Sequence, residues 1–385
     1  LYMYAPYHLY DVYVRGDLAE SFAFVFFPLV LYSLDRGRAA LGAVSYALLI
    51  LTHNVSAMLF TGFLVFYVAL FRKELLLKRV ASAVLFGLSL SAFYWIPALF
   101  EKDMVNIENV LIFAPEWNFL GVYDILNKIG FFPLLLALSA IFISRERRTR
   151  AFGFILLGLI FFMTEYSAFF WNLPFFTLAA YVQFPWRLLS IVALIVSLLG
   201  GIAASAIGSG RIILMLSLLV VVSSFGFIGY SEHITVSNGD ITRKELKNLN
   251  AGLTYGQEYL PKSAKILDFA VKNDAELSGA GHFNVEEKNC NLLAFEYVGD
   301  GELARINTYY FPGWTAYVDG KRTVLQTDES GLIALDVPEG HHRILLRFED
   351  TPVRKFSTIL SIFAFMVLAL QTGRAYRAAS RSPGG

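Results

Sequence analysis

FPWRLLSIVALIVSLLGGIAASAIGSGR, residues 184–211, carries no charge between Arg187 and Arg211. A run of that length suits a helix crossing a hydrocarbon core, which takes about 20 predominantly apolar residues. Trp186 stands at its entrance, where an interfacial belt residue is ordinary. Similar windows begin near Asp17, Arg38, Asn54, Arg79, Gly130, Ala151, Arg211 and Lys355, so the pattern predicts about nine transmembrane helices. Composition agrees: 56% of the chain is hydrophobic and 16% aromatic, above the roughly 45–50% apolar content of soluble domains.

Composition also excludes. A net charge of +1 provides no global basic field, which argues against a nucleic-acid partner. The single cysteine, Cys290, rules out an internal disulfide framework and any multi-cysteine metal site. No Gly-rich phosphate loop, His-x-x-x-His pair or nucleophile elbow is found.

Basic residues set an expected orientation. Arg36 and Arg38, then Arg72, Lys73, Lys78 and Arg79, then Arg145, Arg147, Arg148 and Arg150, then Arg211, and last Arg374, Arg377 and Arg381 fall in alternate loops. The opposite short loops carry only Arg15, Lys102, Lys128 and Arg187. By the positive-inside rule the first set is cytoplasmic. The expected location is a multi-pass plasma-membrane protein with a cytoplasmic C-terminal tail and residues 231–352 outside. Leu1 then also lies outside, so an earlier crossing is expected upstream of it.

The organisation reads as a membrane part over 1–230, an extracytoplasmic domain over 231–352, and a last helix with a basic tail over 353–385. NGDITRKELKNLN reads as a helix with Asp240 or Thr242 as N-cap. After Cys290, LLAFEYV, LARINTYY, TAYVDG, RTVLQT, LIALDV and HRILLRF alternate like short strands. Asp319-Gly320 is a two-residue hairpin signal and Pro338-Glu339-Gly340 reads as a further turn. The expectation is an α-helical polytopic membrane protein with a C-terminal antiparallel β-sandwich before the final helix.

Polar and ionisable residues of the membrane part gather at its outer end: Asp11, Arg15, Asp17, Glu20, His53, Asn54, Glu101, Asp103, Glu116, Glu165 and Arg187. Ionisable groups near membrane depth are candidates for function. Asp17 and Glu20 have the Asp-x-x-Glu spacing of a capping box. Asp11 and Arg15 are either an i,i+4 pair on a short helix or the edge of an anionic-lipid site. Arginine suits that site because its planar fork donates two parallel hydrogen bonds to phosphate. His53 and Asn54, in THNVS, form either a tight polar turn with Asn54 as N-cap or a contact to phosphate or a divalent cation. Arg187 either snorkels outward or meets phosphate. The aromatic loop EYSAFFWNLPFFTLAAYVQ suits the interface plane. Glu101, Asp103 and Glu116 read as solvated loop charges, or as a general base or metal ligand. Trp314 is either core or a glycan platform.

YAPYHLYDVYVRGDLAE, FFPLVLYSL and LTHN resemble the prokaryotic membrane family labelled 6-pyruvoyl-tetrahydropterin-synthase-related. YGQEYLPKSA and YYFPGWTAYVDGKRTVL…ALDVPEGHHRILLRFEDTP resemble that family and the YfhO-like membrane proteins. These are similar in plan to GT-C glycosyltransferases, multi-helix enzymes that use lipid-phosphate sugar donors outside the membrane. The resemblance implies a polyprenyl-phosphate sugar donor and a surface glycan, lipid or protein acceptor. On that reading Arg15 and Arg187 neutralise the leaving phosphate and Asp11 orients Arg15. His53, with Asn54 beside it, touches the phosphate or a divalent cation. The base is Glu20, Glu101, Asp103 or a carboxylate in a first outer loop upstream of Leu1. A non-catalytic transporter or scaffold for lipid-linked glycans is the alternative. Charges gathered at one face, without internal repeats, favour the enzyme.

Overall fold

The computed structural model describes residues 1–71, 73–108, 118–173, 182–228, 257–265, 275–278 and 281–380. The helix expected over 238–250, Glu116, and residues 174–181 of the aromatic loop lie outside the described residues. The chain divides into two units: Leu1–Ala92, Leu111–Ile234 and Leu360–Gly385 form one, and Phe93–Val110 with Thr235–Ile359 the other.

In the first unit, apolar runs become helices in every window read as a span. They are α1 (Pro6–Tyr10), α2 (Leu18–Arg36), α3 (Ala39–Thr52), α4 (Asn54–Phe71) and α5 (Glu74–Leu90). Then come α6 (Ala92–Glu101), which leads into the second unit, α7 (Val122–Ile129), α8 (Phe131–Ile143), α9 (Arg147–Phe162) and α10 (Ala168–Trp171). After these stand α11 (Leu189–Ile207), α12 (Gly210–Ser224) and α13 (Pro352–Ser380). Among the described residues, five helices are long and apolar enough to cross a membrane, or up to 8 if each bent pair is one span. The bent pairs include α7 with α8, at 87°, and Arg147–Phe162 with Glu165–Trp171, at 91°. Helix α3 has only 14 residues; at 1.5 Å per residue it falls short of a ~30 Å core.

Helix α11 is the buried axis of this unit, with Ile195, Leu199 and Ala203 fully enclosed. The rings of Phe27 and Phe60 stack at 4.6 Å between α2 and α4, and neither is exposed. The loops that carry the basic residues meet the same helix ends. Arg79 Nη1 donates to the carbonyls of Leu34 and Asp35, at 2.8 and 3.0 Å, closing the C-terminus of α2. Arg148 lies over the Phe71 ring at the end of α4.

Among the described residues, the second unit contains one antiparallel seven-stranded sheet. Its strands are β1 (Ala275–Leu277), β2 (His282–Asn289), β3 (Leu292–Tyr309), β4 (Trp314–Val318), β5 (Lys321–Thr323), β6 (Gln326–Thr327) and β7 (Leu332–Phe348). The path runs β1-β3-β7-β4-β5, with β2 on β3 and β6 on β7. This corrects the expectation of two sheets built from six short strands. LLAFEYV and LARINTYY are one strand, and LIALDV and HRILLRF are another.

Pro338-Glu339-Gly340 is therefore no hairpin turn. Val298, Gly299 and Asp300 of β3 remain paired there with His341, Gly340 and Glu339. What changes is the face. Leu293, Phe295 and Tyr297 point into the core, and beyond the kink Ala304 and Ile306 do. The partner strand switches likewise, from Ile333, Leu335 and Val337 to Ile344 and Leu346. Gly301 at φ +83 and Gly340 at φ +120 absorb the reversal, in a region closed to most side chains. Both halves of the long strands thus enclose one core, against which Trp314 packs, edge-on to Phe348. Its role is core.

Asp319 (φ 50) and Gly320 (φ 78) make the expected β4–β5 turn, with positive φ at both central positions as the mirror-type hairpin requires. His342 Nδ1 meets Asp319 Oδ2 at 2.7 Å, and the Arg343 amide donates to Asp319 Oδ1 at 2.9 Å. Bonding to Asp319 raises His342 above the ordinary 6.5, and bonding to His342 lowers Asp319 below 3.8. The histidine contribution is complete below 6.5 and lost as pH rises through its elevated value. The aspartate contribution is complete above 3.8 and lost as pH falls through its depressed value. The turn is held most firmly between roughly pH 4 and 6.5. Protection of the Arg343 amide, corrected for intrinsic exchange, should be greater at about pH 6 than at about pH 8.5. His342→Gln should abolish the difference; an unchanged difference would exclude the histidine as its source.

Candidate functional site

The ionisable residues gathered at one end of the first unit converge on Arg15. It closes a short π-helical turn, Asp11–Arg15, that continues directly from α1 and ends at Gly16. Asp11, one turn back, bonds its guanidinium, as the i,i+4 spacing allows. Arg15 Nη1 also donates to Glu20 Oε2 at 2.7 Å and to the Tyr7 hydroxyl at 3.3 Å, while Nη2 donates to Asp17 Oδ2 at 3.1 Å. Tyr7 donates to Glu20 Oε1 at 2.8 Å, and Ser21 Oγ donates to Asp11 Oδ2 at 2.8 Å. Three carboxylates thus meet one guanidinium, and Asp11 and Glu20 are 0% and 1% exposed.

The capping box is half formed. Asp17 Oδ1 accepts the Glu20 amide at 2.9 Å and so caps α2. The Glu20 carboxylate does not return to the Asp17 amide, which bonds Asp11 O instead. Glu20 turns inward because an arginine and a tyrosine offer its charge better partners than one amide already bonded to Asp11 O. Burial, then the Glu20 charge, pushes Asp11 up to about 7.

His53 occupies the junction between α3 and α4. It takes the cap position expected of Asn54: its Nδ1 accepts the Ser56 amide at 3.3 Å and lies 2.7 Å from Ser56 Oγ. Asn54 is exposed. Burial holds His53 below the ordinary imidazole value, so its ring is neutral at pH 7. Donor atoms of His53, Asp17 and Glu20 lie within 4.8 Å of one another.

Arg187 enters from the turn before α11. Its Nη1 donates to Gln183 Oε1 at 2.7 Å and to Val182 O at 3.2 Å. Its Nε has no partner among the described residues, and the side chain is only 9% exposed. Gln183 presents its amide from a left-handed backbone, φ 63, a conformation that costs roughly 1–2 kcal/mol outside glycine. Arg15 lies 4.4 Å from the Trp186 ring centre, Trp186 stacks on Phe184 at 5.1 Å, and Arg187 lies 5.1 Å from Phe184. The two guanidiniums are thus joined through an aromatic pair. Glu20, Arg15 and Asp17 act electrostatically on Arg187.

Six of the residues singled out in the sequence therefore meet: Asp11, Arg15, Asp17, Glu20, His53 and Arg187. Tyr7, Ser21, Ser56, Gln183 and Trp186 complete the cluster; only the FPWRLL context of Trp186 pointed to any of them. Glu101 and Asp103 belong to the second unit. Arg354 Nη2 and Nε donate to Glu101 Oε2 at 2.6 and 3.1 Å, and Thr351 donates to Oε1 at 2.9 Å. This ties Glu101 to the start of α13. Asp103 is exposed on a 3-10 turn, and Glu165 begins another. Glu101→Gln should lower stability by about 1–3 kcal/mol, because Arg354 is left half-buried without its carboxylate. Thermal unfolding would register that loss, while lipid retention by the first unit should not change.

No family model, curated protein or solved structure matches the chain.

Proposed function

We propose that this chain is a multi-pass membrane glycosyltransferase that moves a sugar from a polyprenyl-phosphate donor to an extracytoplasmic glycan, lipid or protein acceptor. The observation that carries the reading is Arg187: a buried guanidinium with an unpartnered N–H and no carboxylate partner among the described residues. Such a group needs an anion, and phosphate matches its fork. In transfer, the acceptor oxygen bonds the sugar carbon as the bond from that carbon to the phosphate oxygen breaks, and the acceptor's hydroxyl proton passes to the departing phosphate. Arg187 then stabilises the charge gathering on the departing phosphate, an effect often worth several kcal/mol.

Arg15 takes a different part from the one its sequence position suggested. Three carboxylates already claim it, so it organises the floor of the site and Arg187 meets the lipid. Glu20 holds Arg15 and does not act as the base. The orientation follows from the basic loops: the Arg15 cluster faces outward, Arg79 and Arg148 face the cytoplasm, and the sheet hangs outside. Supporting it, Arg79 and Arg148 each sit at the far helix ends from the cluster, on α2 and α4.

The same saturation of Arg15 is what a transporter or scaffold would show, since a fully paired cluster can serve architecture alone. Native mass spectrometry of the gently extracted protein separates the two. Co-purified polyprenyl phosphate or its glycosylated form is the expected result. Bulk phospholipid only, at the same level in Arg187→Ala, would remove the basis of the transferase reading.

A further inference from the structure

The shell around Arg15 sets three carboxyl groups, Asp11, Asp17 and Glu20, on one guanidinium. Arg187 acts on Glu20 and Asp17 from a distance. Buried carboxylates persist when they are paired or when they coordinate metal. Two of them, Asp17 and Glu20, lie beside an imidazole, with donor atoms of Asp17, Glu20 and His53 within 4.8 Å of one another.

We propose that Asp17, Glu20 and His53 bind one divalent cation of the Mn²⁺ class. Two carboxylates and one imidazole form a mixed oxygen and nitrogen donor set that suits such an ion. Donors about 2.2 Å from one ion stand about 3.1 Å apart when adjacent and about 4.4 Å when opposite, so a cluster whose donors lie within 4.8 Å of one another must draw in around the ion. The donors retain capacity for it. Asp17 Oδ1 accepts the Glu20 amide and Oδ2 accepts Arg15; Glu20 Oε1 accepts Tyr7 and Oε2 accepts Arg15. A carboxylate has about four lone-pair sites, so each keeps lone pairs for a metal bond. Binding at Nε2 puts the ring proton on Nδ1, which then donates to Ser56 Oγ, 2.7 Å away, and gives up the Ser56 amide that it accepts in the ion-free cluster; a second-shell oxygen on the far ring nitrogen is the usual arrangement of a metal-bound histidine.

This inference goes beyond sugar transfer and stands whether or not the cluster handles a lipid phosphate. Its test is a Mn²⁺ titration of the purified full-length protein after chelation, followed by electron paramagnetic resonance. The expected result is saturable binding of one ion, with nitrogen modulation from a coordinated imidazole. His53→Gln removes that modulation. Asp17→Asn keeps an oxygen to accept the Glu20 amide, so the helix cap survives, and it weakens Mn²⁺ binding at least about tenfold. No saturable binding in the wild type would overturn the proposal. So would imidazole modulation that persists in His53→Gln, or affinity unchanged in Asp17→Asn.

Discussion

Arg15→Ala is expected to destabilise the helical unit by about 3–5 kcal/mol, the range for removing one partner from a buried ionic cluster. Asp11, Asp17 and Glu20 would be left facing one another, two of them out of water. The Tyr7 hydroxyl and the Trp186 face would lose a partner as well. Lysine should rescue only part of the loss, because one ammonium cannot reproduce a fork that serves three carboxylates and an indole face. Equilibrium unfolding in detergent would measure the effect. Adding Glu20→Gln to Arg15→Ala should return part of the stability, since it removes one unpaired charge. A single variant as stable as the wild type would mean that the cluster is solvated and its charges count for little.

Arg187→Ala should act oppositely, with a large effect on ligand and a small one on fold. Nη1 bonds only to the Val182 carbonyl and the Gln183 side chain, and Nε bonds to nothing described. Truncation therefore strands no buried carboxylate, and it removes a charge whose burial is itself unfavourable. Affinity for a polyprenyl phosphate should fall at least about a hundredfold, consistent with the 2–5 kcal/mol typical of a desolvated charge pair. Binding to nanodisc-embedded protein, read by fluorescence or microscale thermophoresis, would check it. Gln183→Ala should give a smaller loss of the same kind, because Gln183 only holds Arg187 in place.

The long apolar helices were legible because apolarity over some 20 residues is a local signal. The bends at Gly130 and after α9 were not, since composition does not register direction. The sheet was legible as strands but miscounted. Glycine and proline in the middle of β3 and β7 look like turns, and only pairing across 15 or more residues shows that they are kinks. At the site, the clustering of charges at alternate helix ends foretold that Asp11, Arg15, Glu20, His53 and Arg187 would meet. It did not foretell their partners. Asp-x-x-Glu fits a capping box whether or not the glutamate closes it, and the choice depended on Arg15 and Tyr7, which come from the preceding turn. His53 took the cap from Asn54 for a comparable reason: its ring nitrogen reaches the Ser56 amide directly.

The most direct test of the central claim compares two ligands that differ only in phosphate. A polyprenyl phosphate and the corresponding free polyprenol would be titrated separately against the full-length protein in nanodiscs. The account predicts saturable binding of the phosphate and at least about a hundredfold weaker binding of the alcohol, with the preference lost in Arg187→Ala. Equal affinity for both, or a preference retained without Arg187, would contradict it.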